Sequence, residues 1–203
     1  MWQKIIKKIH QVTQNSSKLK IPVIYGIDSI HGVTYVDEAT LMPQQINQAA
    51  TFNLEIPQRI GFYFNYFIKS FFLNIFHMYN EGRITATEMR SVGIPWNFSP
   101  IMDIGRQPLW SRLYETYGED PFLAVKMGEA YIRGHQGENN NLTDRENAAT
   151  CLKHYLGYSY SFNGRDKTPA YIPENMLREI FLPTFQAGVK AGSPTVMLNT
   201  AEV

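Results

Sequence analysis

The 203 residues carry 19 Lys and Arg against 18 Asp and Glu, a net charge of +1, with 44% hydrophobic and 13% aromatic content. That is enough apolar material for one domain with a sizeable core, and the absence of a basic stripe argues against nucleic acid as a partner. The single cysteine, Cys151, cannot form an internal disulfide and lies in an apolar run, as a small buried hydrophobe would.

Trp2 to Gln14 sets Ile5, Ile6, Ile9 and Val12 on one side and lysines on the other, the pattern of an amphipathic helix rather than of a secretory leader. Asn15, Asn97 and Asn141 open glycosylation-type triplets, of which Asn97 falls in an expected strand. The compartment is therefore not legible. Ile21 to Ile27 is a continuous apolar run ending at Asp28, which predicts a strand of a parallel sheet covered on both faces. Helices are expected over Asn53 to Gly61 and Arg83 to Gly93, the second closing on Gly93.

Between those helices lies Phe62 to Gly82, FYFNYFIKSFFLNIFHMYNEG, which holds half of the chain's twelve phenylalanines. Its Phe, Tyr, Asn, Ile and Lys are residues of AT-rich codons. Removing it leaves LEIPQRIG-RITATEMRSVG, one uninterrupted helical pattern. The segment reads as a translated intron or gene-model artefact, with a genuine hydrophobic insertion as the alternative. Lys69 and the scattered asparagines argue against a membrane span.

Ile94 to Phe98 is the second strand, followed by a long loop bearing Asp103, Arg106, Trp110, Arg112, Glu115 and Glu119. Asp120 and Pro121 then start a helix as N-cap and first helical residue, with Leu123, Met127, Ala130 and Tyr131 on its inner face. Ala148 to Lys153 is the third strand and delivers Lys153 and His154 at its end. A second long loop runs from His154 to Ile172 and contains Asp166. A helix from Pro173 to Ala191 should bury Leu177, Ile180, Phe181, Phe185 and Val189, and Pro183 should kink or fray it. Pro194 to Asn199 is the fourth strand.

Alternating strands and helices argue an α/β fold with a parallel sheet and right-handed crossovers. Asp28, the loop from Asp103 to Arg112, Lys153, His154 and Asn199 all fall at or just beyond strand C-termini, the functional face of such a sheet. Trp110 with Arg112 suits a sugar, since an indole packs on a pyranose and a guanidinium donates to its hydroxyls, although Trp110 also fits as plain core. Blander roles exist for the others. Asp28 could cap its turn, Arg112 could pair with Glu115 or Glu119, and Asp103 and Asp166 read as loop-organising. The five histidines and one cysteine show no metal-ligand spacing, and no cofactor motif is present.

The string Asp103-x-x-Arg106-x-Pro108-x-Trp110-x-Arg112-x-x-Glu115-x-x-Gly118-Glu119-Asp120-Pro121 resembles the signature loop of glycoside hydrolase family 3, the exo-acting β-glucosidases and their relatives. Asp28-Ser29-Ile30-His31-Gly32 resembles the family's D-x-x-H-G turn, and Ala39 to Gln44 and Ala49 to Asn53 match the family's next two segments. Gln107, Leu109 and Ser111 depart from the commonest pattern toward lysosomal-type and microbial-eukaryote members. The resemblance implies a partial (β/α)8 barrel, since a complete one takes about 250 residues, with open strand edges if it stood alone. It implies a β-glucoside or β-glucan oligosaccharide as partner, with Asp28, Arg112, Lys153 and His154 holding the terminal, non-reducing sugar. It also suggests a secreted or lysosomal setting, leaves the oligomeric state open and gives no reason to expect a membrane.

A retaining glycosidase needs a nucleophile and an acid/base about 5 to 5.5 Å apart. The family's nucleophile lies in an S-D-W-like segment after a later strand, and its acid/base comes from beyond the barrel. No Asp here matches that motif, so no catalytic residue is assigned. Two other readings remain open: a carbohydrate-binding module or pseudoenzyme, and an unrelated barrel using Lys153 for a Schiff base or a phosphate. The lack of a Gly-rich phosphate loop counts against the last.

Overall fold

A computed structural model describes residues 1–50 and 64–203, with side chains described for 1–50 and 78–203. The helix expected over Asn53 to Gly61 lies outside the described residues. Four parallel strands form one sheet in the order β1 (Gly26–Ile27), β2 (Trp96–Asn97), β3 (Ala149–Tyr155) and β4 (Thr195–Leu198). Each strand pairs with its neighbour in sequence, and helices lie between them: α1 (Trp2–Ser16) precedes β1, and α2 (Gln45–Ala49) and α3 (Phe64–Ser91) join β1 to β2. α4 (Pro121–Gln136) joins β2 to β3, and α5 (Glu174–Met176) and α6 (Leu182–Lys190) join β3 to β4. Sequential parallel order with helical crossovers is the connectivity of an α/β barrel. Four strands make it a partial one.

The first two strands are shorter than the apolar runs suggest. Ile21, Val23 and Ile24 are exposed rather than covered on both faces. The reason is position: β1 is an edge strand whose only strand neighbour among the described residues is β2, so its outer flank meets no sheet. β3 runs longer than expected, through Tyr155, and therefore holds Lys153 and His154 inside the strand.

α4 begins as its sequence dictates. The Asp120 carboxylate accepts from the Phe122 N–H at 2.9 Å, and Pro121 follows at the first helical position. Met127, Ala130 and Tyr131 are buried, as the helical spacing requires. Residues 78–82, the end of the phenylalanine-rich segment, pack in the body of the protein: Met78 and Glu81 are buried, and a Cβ added at Gly82 would run into the Tyr131 carbonyl of α4. α3 and α4 thus cross where only glycine allows the backbones to meet.

At Pro183 the helix neither breaks nor frays but changes its winding. The helix before it is wound as a π-helical stretch from Leu177–Phe181, and α6 restarts with the proline in its first turn. Phe181 and Phe185 are buried, but Val189 is exposed, because it faces the open flank beyond β4. The main core joins Met78, Met102, Ile104, Tyr117, Met127, Tyr131, Leu152, Phe181 and Phe185, and a smaller cluster around Ile6, Ile27, Val33, Met89 and Ile94 seats α1.

Candidate functional site

The C-terminal ends of the strands carry a connected set of polar side chains. Asp28 follows β1 directly, and its turn is pinned by the strand beside it. Asn97 of β2 is fully buried; its carbonyl oxygen accepts from the Ser29 N–H at 2.9 Å, and its amide donates to the Ser29 carbonyl at 3.1 Å. That two-way bond, made by the Asn97 side chain, holds the Ser29 backbone, next to Asp28, to the sheet. The Asp28 side chain keeps 48% of its surface open and takes an ion pair from Lys153, whose side chain is 2% exposed. The ammonium is thus buried and paired, while its partner carboxylate presents a face to solvent.

His154 follows Lys153 on β3 and is clamped on both sides. Asp103, itself buried, accepts with one oxygen both the His154 backbone N–H at 2.9 Å and the imidazole Nδ1 at 2.8 Å. On the other side Nε2 lies 3.1 Å from Arg112 Nη1. Because a guanidinium can only donate, Nε2 is the acceptor and the ring proton sits on Nδ1, facing Asp103. Arg112 meets Glu115 in a bidentate fork, Nε and Nη2 each 2.7 Å from one carboxylate oxygen. Burial works against the charge of Arg112. The Glu115 carboxylate, with a smaller part from Tyr158, outweighs it and holds the pKa above the ordinary arginine value.

The structure brings Asp28, Lys153, His154 and Arg112 onto one rim, but in two tiers. Asp28 and Arg112 reach solvent, Arg112 with 27% of its side chain, whereas Lys153 and His154 stand behind them. Trp110 is 2% exposed, packed edge-on against Tyr158 at 5.2 Å, so it serves as core and its indole presents no platform for a sugar ring. Asp103 organises the site from beneath, and Asp166 accepts the Tyr158 hydroxyl. Glu115 is the arginine's partner, one of the two the sequence offered, and Asn97 and Tyr158 are the members that sequence reasoning left out. An asparagine inside an apolar strand run was the available signal for the first. Among the described residues no three His, Cys, Asp or Glu side chains gather as metal ligands, and no helix is long and apolar enough to cross a membrane.

The profile of the Glycosyl hydrolase family 3 N terminal domain matches residues 2–203. A lysosomal beta glucosidase of Dictyostelium discoideum is 44% identical over 207 residues, covering 100% of this chain and 23% of that protein. A beta-xylosidase of Formosa agariphila is 30% identical across 94% of this chain and 25% of its own length. Among solved structures, a β-glucosidase from Erythrobacter marinus superposes with a TM-score of 0.83 at 28% identity, covering 99% of this chain and 24% of that one. A β-glucosidase from Listeria innocua in complex with isofagomine gives 0.80 at 26% identity, covering 98% and 24%. The chain thus spans about a quarter of the length of these relatives. With four parallel strands joined by helices among the described residues, and the signature loop at their C-terminal rim, it belongs to glycosyl hydrolase family 3, within the family's N-terminal domain.

Proposed function

We propose that residues 1–203 form the terminal-sugar pocket of an exo-acting, retaining β-glucosidase that releases non-reducing β-D-glucose, and that the carboxylate pair of the reaction comes from outside these residues. The observation that carries the first half is the half-open Asp28 carboxylate held by the buried Lys153. A sugar's vicinal hydroxyls both donate and accept. A carboxylate takes two of them at once, and the Arg112 donors left free by Glu115 and His154 supply the opposite polarity nearby. Lys153 and His154 act by orienting those two groups and, where a hydroxyl reaches them, as donors in their own right.

The second half rests on how the rim carboxylates are used. Asp103 is buried under His154, Glu115 is taken up by Arg112, and Asp166 by Tyr158. Asp28 is engaged by Lys153, and none of these matches the family's nucleophile segment. Covalent glycosidase chemistry needs a free nucleophile facing the anomeric carbon and a second carboxyl about 5 to 5.5 Å from it. On its own the 203-residue chain is therefore a binding element without turnover, and the names of its relatives supply glucose as the sugar to test first.

The test is an aryl β-glucoside assay on this chain beside the same chain extended through the rest of a family 3 barrel and its following domain. The long form is expected to turn over and the short form to be silent. Turnover by the short form at a comparable rate would return Asp28, Asp103 and Asp166 to consideration as nucleophiles. Faster cleavage of an aryl β-xyloside than of the glucoside would replace glucose with xylose.

A further inference from the structure

Two loops build the rim, one from Asp103 to Glu119 and one from Gly157 to Ile172, and they meet at Tyr158. This tyrosine is buried, with its ring edge-on to Trp110 at 5.2 Å and to His154 at 4.8 Å, and the Arg112 guanidinium carbon lies 5.8 Å from its centroid. Its hydroxyl donates to the Asp166 carboxylate of the second loop. Gly157, with φ at +80°, turns the chain so that the ring enters between the loops. Two further contacts hold the same seam: the Ser159 hydroxyl donates to the Ile104 carbonyl at 2.6 Å, and a Cβ at Gly164 would collide with the Leu109 backbone.

The guanidinium of Arg112 has two edges and two faces. Glu115 takes one edge and His154 part of the other, but hydrogen bonds in the guanidinium plane do not stop the group from tilting out of that plane. Tyr158 lies beside it, its ring centroid 5.8 Å from the guanidinium carbon and its hydroxyl oxygen within the influence of the same guanidinium, and the ring is itself kept from turning by the hydroxyl bond to Asp166. Burial, and then the hydrogen bond to Asp166, push the phenol up to about 12, with the neighbouring Arg112 guanidinium pulling the other way, so the hydroxyl keeps its proton and remains a donor to Asp166 through neutral pH.

We infer that Tyr158 and Asp166 form a positioning pair: Asp166 fixes the Tyr158 ring, and the ring fixes Arg112 against His154 so that the remaining guanidinium donors are aimed at the ligand. Neither residue needs to touch the sugar. The inference rests on the proposed sugar site for its functional consequence, and on the loop geometry alone for the ordering of Arg112.

The experiment uses the 203-residue chain with Tyr158→Phe, Tyr158→Leu, Asp166→Ala and Asp166→Asn. Two quantities are measured: hydrogen exchange of the Arg112 guanidinium N–H signals by NMR, and isofagomine affinity by calorimetry. Tyr158→Leu and Asp166→Ala are expected to speed the exchange and weaken isofagomine by about tenfold each, the scale of one ordinary contact. Asp166→Asn, whose amide oxygen still accepts the hydroxyl, should recover most of both. Tyr158→Phe combined with Asp166→Ala should cost less than the sum of the two single variants, because both remove the hydroxyl–carboxylate bond.

A purely structural role would lower the melting temperature but leave exchange and affinity unchanged in the folded fraction, and that result overturns the inference. Additive effects in the double variant, or an Arg112 already unprotected in the wild type, overturn it as well. If a Tyr158 variant does not fold, the Asp166 pair decides. If exchange responds as expected while the wild type binds no isofagomine, the positioning pair stands and the glucose reading falls.

Discussion

Arg112 and His154 share one proton arrangement: the guanidinium donates Nη1 to the imidazole Nε2 at 3.1 Å because Asp103 holds the ring's proton on Nδ1 at 2.8 Å. Asp103 thereby sets the orientation of a side chain on the neighbouring strand. Asp103→Ala would leave two buried donors, the His154 backbone N–H and Nδ1, without an acceptor. At about 1–3 kcal/mol for each such group, the expected loss is about 2–6 kcal/mol in urea denaturation. A loss within about 0.5 kcal/mol of zero would show that His154 orients itself without Asp103.

Asp28→Ala is expected to weaken binding and, by leaving the buried Lys153 ammonium without its carboxylate, to destabilise the fold as well. Removing an acceptor of charged hydrogen bonds costs about 1.5–3 kcal/mol, a ten- to hundredfold loss in affinity. The loss should exceed that caused by Asp103→Ala when both are measured in folded protein with a glucose-like inhibitor. Equal affinity for Asp28→Ala and wild type would remove Asp28 from the sugar site.

Arg112→Lys is a conservative exchange by charge alone. An ammonium cannot reproduce the fork on Glu115 while also donating to His154. With the Glu115 side chain only 6% exposed, the exchange should cost about 1–3 kcal/mol of stability and cut inhibitor affinity at least as much as Tyr158→Leu does. Thermal melts and calorimetry on the one variant give both figures.

Two titrating groups at the α3–α4 seam should narrow the pH range of stability. Burial pushes the Glu81 carboxyl from 4.5 up to about 8, with Gln48 pulling weakly the other way. A raised carboxyl pKa leaves folding unpenalised below 4.5 and progressively weaker as pH rises toward 8. Burial lowers His135 from 6.5 to about 4, opposed by the Gly82 carbonyl that its Nδ1 meets at 3.0 Å. Its contribution is complete above 6.5 and lost as pH falls through 4. One pKa unit corresponds to about 1.4 kcal/mol, so each limb amounts to a few kcal/mol. Glu81→Gln should flatten the alkaline limb of a stability–pH profile and leave the acid limb, and an unchanged alkaline limb would show that Glu81 is not the group responsible.

The same seam gives the phenylalanine-rich segment a physical test. We propose that the working form of the protein lacks residues 62–82. Their removal joins Gly61 to Arg83, so glycine again precedes Arg83 and Ile60 stands in line where Glu81 stood. The glycine demanded by the Tyr131 carbonyl is kept, and a buried carboxyl becomes a buried isoleucine. The deleted form should give more soluble protein and melt higher, with no alkaline limb. A lower melting temperature, or mature transcripts that all retain these codons, would establish the segment as a true insertion.

Much of the site was legible because strand ends announce themselves: an apolar run stops, and the next polar residue stands on the rim. Asp28, Lys153 and His154 were found that way, and Arg112 came from the loop string. Depth was not legible. Nothing in the spacing of Trp110 and Arg112 says that the first is core and the second surface, since both lie in one irregular loop where no period assigns a face. Asn97 and Tyr158 were missed because their partners, Ser29 and Asp166 among them, are fixed by tertiary contact. The overlong first strand has a similar cause. Apolar content was read as two-sided cover, but among the described residues no strand lies on the outer flank of β1.

Among the described residues each strand pairs only with strands next to it in sequence, which has a consequence for how the molecule is made. Every new strand finds its template already in place, so the chain can assemble in the order of its synthesis, one βα unit at a time, without waiting for distant partners. β4, with Val196 and Leu198 open beside Val189 of α6, is the growing end of that assembly. Ribosome-arrested nascent chains should therefore acquire protease resistance stepwise as β2, β3 and β4 clear the exit tunnel.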